Sequence, residues 1–101
     1  MNIVAIRVLR AYWQRHPTTE SHLRAWIAEA QAARWMQPAE IKAQYHNASI
    51  LKNRRAVFNI QGNKHRLVVA LAYRQQAIYV KFIGTHEEYD AIDAETVELE
   101  I

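Results

Sequence analysis

The sequence predicts an α+β fold in which N-terminal helices pack on one face of a small twisted antiparallel sheet. Apolar residues recur at helical spacing through the first half of the chain, whereas after Arg55 they form short runs that are typical of strands and are separated by turns. The length agrees, because 101 residues can bury one compact core but not two. We therefore treat residues 1–101 as a single domain.

Three helices are predicted in the first half of the chain. The first is indicated by positions 6, 9, 10 and 13, and Pro17 closes it. The second has an apolar stripe at positions 23, 26, 27 and 30, and Thr18 or Thr19 is expected to cap its first turn. The third, over Pro38–Tyr45, starts with a proline in its first turn. The segment His46–Asn53 lacks periodicity, so we expect an ordered loop there.

Three strands are predicted in the second half, over Ala56–Ile60, Leu67–Tyr73 and Ala77–Ile83. The turns between them are short, so the strands should form an antiparallel meander. Alternation in the third strand predicts two sets of side chains, with Ile78, Val80 and Phe82 on one face and Tyr79, Lys81 and Ile83 on the other. We expect the helices to cover one face of the sheet and the other face to be partly open and basic.

The charged residues are unevenly distributed along the chain. The net charge is only +3, yet no acid lies between Glu40 and Glu87, a section that contains eight Lys and Arg residues. From Glu87 onward there are seven acids and no Lys or Arg. Such a basic section is typical of a protein that binds a polyanion such as nucleic acid. On charge alone, a solvated basic face that meets an acidic tail is an equally good interpretation.

Composition excludes several classes of protein. There is no cysteine, which removes disulfides, thiolate nucleophiles and zinc–thiolate sites. No segment approaches the roughly 20 apolar residues of a membrane span, and two glycines are too few for a glycine-rich phosphate loop. The run His86–Asp90 starts like a zinc-protease motif, but Asp90 stands where the second histidine is required. We therefore expect a soluble cytoplasmic protein without a metal, a cofactor or a membrane partner.

Candidate catalytic side chains should meet at one edge of the predicted sheet. Arg66 begins the second strand, and His86 and Tyr89 follow the third. Because antiparallel neighbours place the start of one strand beside the end of the next, Arg66 and His86 should share an edge. These residue types can cleave RNA without a metal, since a base deprotonates the ribose 2′-OH, a cation stabilises the phosphorane and an acid protonates the leaving oxygen. A structural interpretation stays open, in which His86 caps the following turn and Tyr89 packs in the core.

A resemblance to a known family extends over essentially the whole chain. Its matching segments are Ile50–Asn53, Val57–Ile60, Gly62–Lys64, Arg66–Val69, Tyr79-Val80, Phe82–His86 and Tyr89-Asp90, with Trp13, His16-Pro17, Leu23–Trp26, Trp35 and Pro38-Ala39 in the first half. These segments resemble the HigB toxin family. The resemblance implies a RelE-like microbial-ribonuclease fold and an endoribonuclease that cleaves mRNA, in related toxins during translation on the ribosome. It also implies inhibition by a HigA-type helix-turn-helix antitoxin, through which alone the toxin would be linked to DNA.

The resemblance further implies residue roles. His86 is assigned to proton transfer, Arg66 and Lys52 to the scissile phosphate, and Tyr89 to stacking on a base or orienting the ribose. Which side chain is the base and which the acid stays open. Further RNA-binding positions are expected at Arg54, Arg55, Lys64, His65 and Lys81. His65 stands where the family often has an aromatic residue, so a role for His65 in proton transfer also stays open.

Two other functions compete with this interpretation. A non-catalytic RNA-binding or ribosome-associated module would share the basic section and would use His86 and Tyr89 only structurally. A DNA-binding regulator ranks last, because most basic residues fall in the strand half and not on a recognition helix. Mapping new 5′ ends in translated mRNA would separate a nuclease from the RNA-binding module.

Overall fold

The computed structural model describes residues 1–99, which form five strands, four α-helices and one 3-10 turn. In chain order these elements are β1 (Asn2–Val4), α1 (Ile6–Arg15), the 3-10 turn (Pro17–Thr19), α2 (Glu20–Ala32), α3 (Pro38–Gln44), β2 (Ser49–Leu51), β3 (Arg55–Ile60), β4 (His65–Ala72), β5 (Ala77–Thr85) and α4 (His86–Asp90). The α+β class with helices first in the chain is confirmed.

The strands form one mixed sheet in the order β1-β5-β4-β3-β2. The predicted meander of β3, β4 and β5 is confirmed. The expectation of a purely antiparallel sheet is wrong, because β1 pairs in parallel with β5. The loop expected over His46–Asn53 is also wrong in part, since Ser49–Leu51 pairs with β3. Both outer strands have three residues, too few for an alternating pattern to show in the sequence.

The helices cover one face of the sheet and enclose a single core. Phe58 of β3 lies at its centre, with its ring 5.3 Å from that of Trp26 and 6.2 Å from that of Trp35. Leu9 of α1 and Leu67 of β4 are completely buried in the same cluster. Truncating a buried Phe to Ala typically costs about 3–5 kcal/mol, so this aromatic group holds α2 and the following segment against the sheet.

A β-bulge in β5 changes the predicted faces of that strand. Val68 pairs with Phe82 and Val69 pairs with Val80, so Lys81 is an extra residue without a partner. The extra residue reverses the alternation after Val80. Ile83 therefore packs against the core, and Phe82 belongs to the opposite face, which we call the outer face. Grouping Phe82 with Ile78 and Val80 was wrong for this reason.

The predicted start of the third helix is confirmed, whereas the predicted cap of the second helix is not. The predicted third helix is confirmed as Pro38–Gln44, and a capping box between Gln37 and Glu40 starts it. The expected threonine cap of α2 is wrong. The Thr19 hydroxyl donates to the His16 carbonyl at 2.7 Å and caps nothing, because the chain enters α2 through the 3-10 turn. None of the helices in residues 1–99 has the length and apolar character to span a membrane.

Candidate active site

The start of β4 and the end of β5 form the edge at which the candidate side chains meet. His65 pairs with Thr85 and Arg66 pairs with Gly84. The backbone N–H of His86 donates to the Lys64 carbonyl at 2.9 Å. The inference from topology that Arg66 and His86 share one edge is therefore confirmed, and we call this region the catalytic edge.

Helix α4 presents His86 to solvent. Thr85 is the N-cap, and its hydroxyl accepts a hydrogen bond from the Glu88 N–H while the Glu88 carboxylate accepts one from the Thr85 N–H. His86 follows as the first helical residue and its side chain is 51% exposed. The interpretation of His86 as the cap is wrong, because Thr85 already fills that role. The His86 imidazole is therefore not used to cap the helix and can take a different role.

Asp90 lies beside the His86 ring. One helical turn separates the two residues, and Asp90 Oδ2 lies 2.9 Å from His86 Nδ1, so the two form an ion pair whenever the imidazole is protonated. This contact involves Nδ1 and leaves the other nitrogen, Nε2, as the atom that can exchange a proton. The i, i+4 spacing of histidine and aspartate in His86–Asp90 was the sequence signal for this pair, and it was not used.

Arg66 and Tyr89 form the second part of the catalytic edge. Cζ of Arg66 lies 5.8 Å from the centre of the Tyr89 ring. Arg66 Nη1 donates to the carbonyls of Asn63 at 2.8 Å and His65 at 3.2 Å, which fixes the guanidinium and leaves its other N–H groups for a ligand. Tyr89 is half-buried and does not belong to the core cluster. The interpretation of Tyr89 as a core residue is wrong.

Gly84 leaves room for two side chains that lie against the end of β5. A Cβ at this position would lie 2.6 Å from Cζ of Phe82 and 2.9 Å from Oε1 of Glu88. Any side chain here would displace the Phe82 ring and the Glu88 carboxylate, which accepts a hydrogen bond from the Thr85 N–H. No role was predicted for Gly84, because the sequence does not reveal which side chains pack against a single glycine at the end of a strand.

A second cluster lies at the same edge on the helix side of the sheet. The Tyr12 hydroxyl and His65 Nδ1 are 2.6 Å apart. His16 stacks on the Tyr12 ring at 4.3 Å and contacts the His65 ring edge-on at 5.4 Å. Neither His16 nor Tyr12 was among the site residues predicted from the sequence. Their i, i+4 spacing on α1 was the available signal.

Burial and nearby charges shift both members of the hydrogen-bonded pair. Burial, with the negative charge of Glu88 second, raises the pKa of Tyr12 to about 12. Burial lowers the pKa of His65, and the positive charges of His16 and Lys64 lower it further against an opposing effect of Glu88. Tyr12 therefore stays a phenol and His65 stays a neutral imidazole at neutral pH.

Lys52 and Arg54 lie far from the catalytic edge. The Leu71 N–H donates to the Arg54 carbonyl at 2.8 Å, so the turn between β2 and β3 lies level with Leu71. Leu71 lies five positions beyond Arg66 in β4, which is roughly 16 Å at about 3.3 Å per residue. The joint assignment of Arg66 and Lys52 to one scissile phosphate was wrong. A match of residue types along the sequence could not show that Lys52 is at the other end of the strands.

Arg55 and Lys81 are engaged by the acidic C-terminal tail, residues 91–99. Arg55 is buried and donates to the carbonyls of Ala94 at 3.2 Å and Val97 at 2.6 Å. Glu98 pairs with both Arg55 and Lys81 at 2.6 Å. The hydrogen bond from Lys81, followed by that from Arg55, lowers the pKa of Glu98. Both cations are held by Glu98 of the tail, so expecting them on an open RNA-binding surface was wrong.

The lysines and arginines of the predicted RNA-binding set that stay available, apart from Arg66, fall into two groups. Lys64 is exposed beside Arg66 at the catalytic edge, and Lys52 and Arg54 are exposed at the far turn. Within residues 1–99 there is no group of three or more His, Asp or Glu side chains that could hold a metal ion. The side chains of the catalytic edge can transfer a proton through the His86 imidazole and stabilise negative charge through the Arg66 guanidinium.

Comparison with known proteins defines the class. A family model described as the RelE-like toxic component of a toxin–antitoxin system matches residues 19–92. The chain belongs to this family, the HigB toxins, which confirms the resemblance seen in the sequence. The chain is similar to the mRNA interferase toxin HigB of Escherichia coli K12, with 25% identity over 96 residues that cover 93% of this chain and 92% of the relative. The mRNA interferases HigB of Escherichia coli O157:H7 and Shigella flexneri match equally well.

Proposed function

We propose that the chain is an mRNA interferase, an endoribonuclease that cleaves mRNA in the cytoplasm. The observation that carries this proposal is the catalytic edge, where the exposed His86–Asp90 pair lies beside Arg66 and Tyr89. The relatives that cover nearly all of the chain carry the name mRNA interferase, which supports the same activity.

The proposed cleavage uses only protein groups. The ribose 2′-oxygen loses its proton to a base and attacks the adjacent phosphorus, and the bond from phosphorus to the 5′-oxygen breaks as an acid protonates that oxygen. The products are a 2′,3′-cyclic phosphate and a free 5′-hydroxyl. His86, in contact with Asp90, transfers a proton in this step, and the Arg66 guanidinium stabilises the charge on the phosphorane. Tyr89, held beside Arg66, stacks on a base or orients the ribose.

The far turn is proposed to hold RNA away from the reaction. Lys52 and Arg54 are exposed, and roughly 16 Å separates their end of the sheet from Arg66. That distance spans several nucleotides, so these side chains would bind phosphates of flanking RNA. We propose that mRNA is cleaved while bound to the ribosome, where a protein of this size would meet rRNA phosphates beside its substrate.

The proposed protein partner is a HigA-type helix-turn-helix antitoxin that contacts the helical half. Membership of a toxin–antitoxin family supports an antitoxin of some kind. Arg24 offers a contact away from the catalytic edge, since its side chain is 63% exposed and its Cζ lies 4.8 Å from the centre of the Trp13 ring. Charge reversals at Arg24 and Arg34 should weaken antitoxin binding more than Arg66→Ala does. The opposite order would place the antitoxin over the catalytic edge.

Expression in a bacterium tests the function as a whole. The chain alone should arrest growth and fragment mRNA, and co-expression of its antitoxin should restore growth. The Arg66→Ala variant, expressed to the same soluble abundance, should neither arrest growth nor fragment mRNA. Growth arrest with intact mRNA would favour the non-catalytic ribosome-associated module, and unimpaired growth with abundant soluble protein would contradict the toxin activity.

A further inference from the structure

We propose that Tyr12 fixes His65 in the neutral tautomer with its hydrogen on Nε2, and that this N–H donates to a phosphate oxygen of the bound RNA. This inference rests on the proposed function for the identity of the ligand. It makes His65 a substrate-binding donor and leaves proton transfer to His86. It also gives Tyr12 the role of a positioning residue that acts through His65.

The direction of the hydrogen bond follows from burial. Tyr12 is 2% exposed, and its hydroxyl lies 2.6 Å from His65 Nδ1. If His65 carried its hydrogen on Nδ1, the phenolic hydrogen would have no acceptor among residues 1–99, which is costly in a buried site. A phenol is also a better donor than a neutral imidazole N–H, and an imidazole nitrogen is a better acceptor than a phenolic oxygen. The Tyr12 O–H therefore donates to Nδ1, and the imidazole hydrogen is on Nε2.

The groups around the pair keep both partners in these states. His16 and Lys64 disfavour a positive charge on His65, and Glu88 opposes them with a smaller effect. The pKa of His65 is lowered and that of Tyr12 is raised to about 12, so neither titrates near neutral pH. A neutral ring with one fixed hydrogen is a donor of constant strength, whereas a general base must take up a proton during the reaction.

The Nε2 atom of His65 is available to a ligand. Within residues 1–99, the one side-chain nitrogen or oxygen that is sealed from solvent without a partner is Nε1 of Trp26. His65 Nε2 has no hydrogen-bond partner in that part of the chain, so this nitrogen keeps contact with solvent. His65 pairs with Thr85, the residue before His86. The positive charge of Lys64 acts on His65 and favours a phosphate oxygen as the acceptor, whereas Arg66, the next residue of β4, belongs to the opposite face of the sheet.

Nitrogen NMR of His65 tests the tautomer without any RNA. In the purified wild-type chain, the ¹⁵N shifts should show Nε2 bonded to hydrogen and Nδ1 without one, unchanged between pH 7 and pH 8. In Tyr12→Phe the hydrogen should distribute over both nitrogens, because Nδ1 has lost its donor. A wild-type ring with its hydrogen on Nδ1, or one that titrates together with the cleavage rate, would overturn the proposal.

RNA binding tests the donor. The probe is an RNA oligonucleotide with a 2′-deoxy nucleotide at the cleavage position, which the enzyme can bind but not cut. The amide nitrogen of glutamine reaches the position of Nε2, whereas that of asparagine reaches only the position of Nδ1. His65→Gln should therefore bind within about threefold of wild type. His65→Asn should bind roughly 10–100-fold more weakly, as expected for the loss of a hydrogen bond to a charged group.

The kinetics must agree with the binding. His65→Asn should raise KM and leave the pH profile of kcat unchanged, because the donor does not titrate. A His65→Asn variant that binds and cleaves like wild type, or equal loss in His65→Gln and His65→Asn with both melting temperatures retained, would overturn the proposal. If the wild-type chain cleaves no RNA at all, the proposed function fails, whereas the NMR measurement still decides the tautomer.

Discussion

His86 and Asp90 lie one turn apart on α4, with Nδ1 of the histidine 2.9 Å from Oδ2 of the aspartate. The pair is exposed, and the cap of the helix is the neighbouring Thr85. An exposed imidazole that does not cap its helix, does not pack in the core and contacts a carboxylate is suited to proton transfer.

His86→Asn should retain the melting temperature and RNA binding but lose nearly all cleavage. An amide cannot exchange a proton, and general acid–base contributions are typically about 10²–10⁴-fold. Single-turnover cleavage and thermal melting should be measured together, because a loss of stability alone can lower activity in cells. Asp90→Asn is the matched control and should reduce cleavage less, since it removes the charge beside the ring and leaves the imidazole itself in place. Retained cleavage in His86→Asn would remove proton transfer from this residue.

Arg66→Ala should slow cleavage by about 10²–10³-fold, the usual effect of removing one preorganised group that stabilises a developing charge. The fold should persist because Arg66 is half-exposed and bonds only to local carbonyls. Arg54→Ala removes the same charge from the far turn, and we expect its kcat at saturating RNA to equal that of wild type. Equal losses of kcat in the two variants would point to general charge attraction and away from a specific contact at Arg66.

Arg54→Gly should stabilise the protein. Asn53 and Arg54 have φ values of 63° and 56°, so both occupy the left-handed region in the turn between β2 and β3. A non-glycine residue there costs roughly 1–2 kcal/mol, part of which glycine loses again through chain entropy. A net gain of about 0.5–1 kcal/mol should raise the melting temperature by a few degrees. Arg54→Ala is the control, since it removes the charge and keeps the strain, and an equal rise in both variants would assign the gain to charge.

Glu98 should make stability depend on acid pH. Its contacts with Lys81 and Arg55 lower its pKa in the folded state below the value of 4.5 that applies to an unpaired glutamate. A lowered pKa stabilises the folded state above about pH 4.5, and this contribution is lost as the pH falls through the lower folded value. Wild type should therefore melt higher than Glu98→Gln at pH 7, and the difference should shrink below pH 4. A difference that is constant with pH would show that the ion pairs do not stabilise the tail.

The sequence predicted the helices and strands that are long enough to show a repeating pattern of apolar residues. The meander of β3, β4 and β5 followed from apolar runs and short turns, and the shared edge of Arg66 and His86 followed from antiparallel order alone. The bulge at Lys81 could not be predicted, because an extra residue without a partner leaves the sequence looking like an ordinary alternating strand.

Contacts between distant segments account for the other errors. The pairing of Glu98 with Arg55 brings together residues 43 positions apart, and the pairing of Tyr12 with His65 brings together residues 53 positions apart. Charge counts along the chain identified a basic section and an acidic tail, but they did not show that the tail folds back on part of the basic section. The family match begins at Thr19, so α1, which contributes Tyr12 and His16, lies outside it.

The chemistry of the catalytic edge is tested most directly by one substitution in the RNA. A ribosome is programmed with a defined mRNA whose cleavage site has been mapped, and the nucleotide that supplies the attacking 2′-OH is replaced by its 2′-deoxy counterpart. We predict that cleavage at that site disappears, and that the unmodified mRNA yields a 2′,3′-cyclic phosphate and a 5′-hydroxyl. Continued cleavage at the 2′-deoxy site, or products with a 5′-phosphate, would contradict the mechanism assigned to His86 and Arg66.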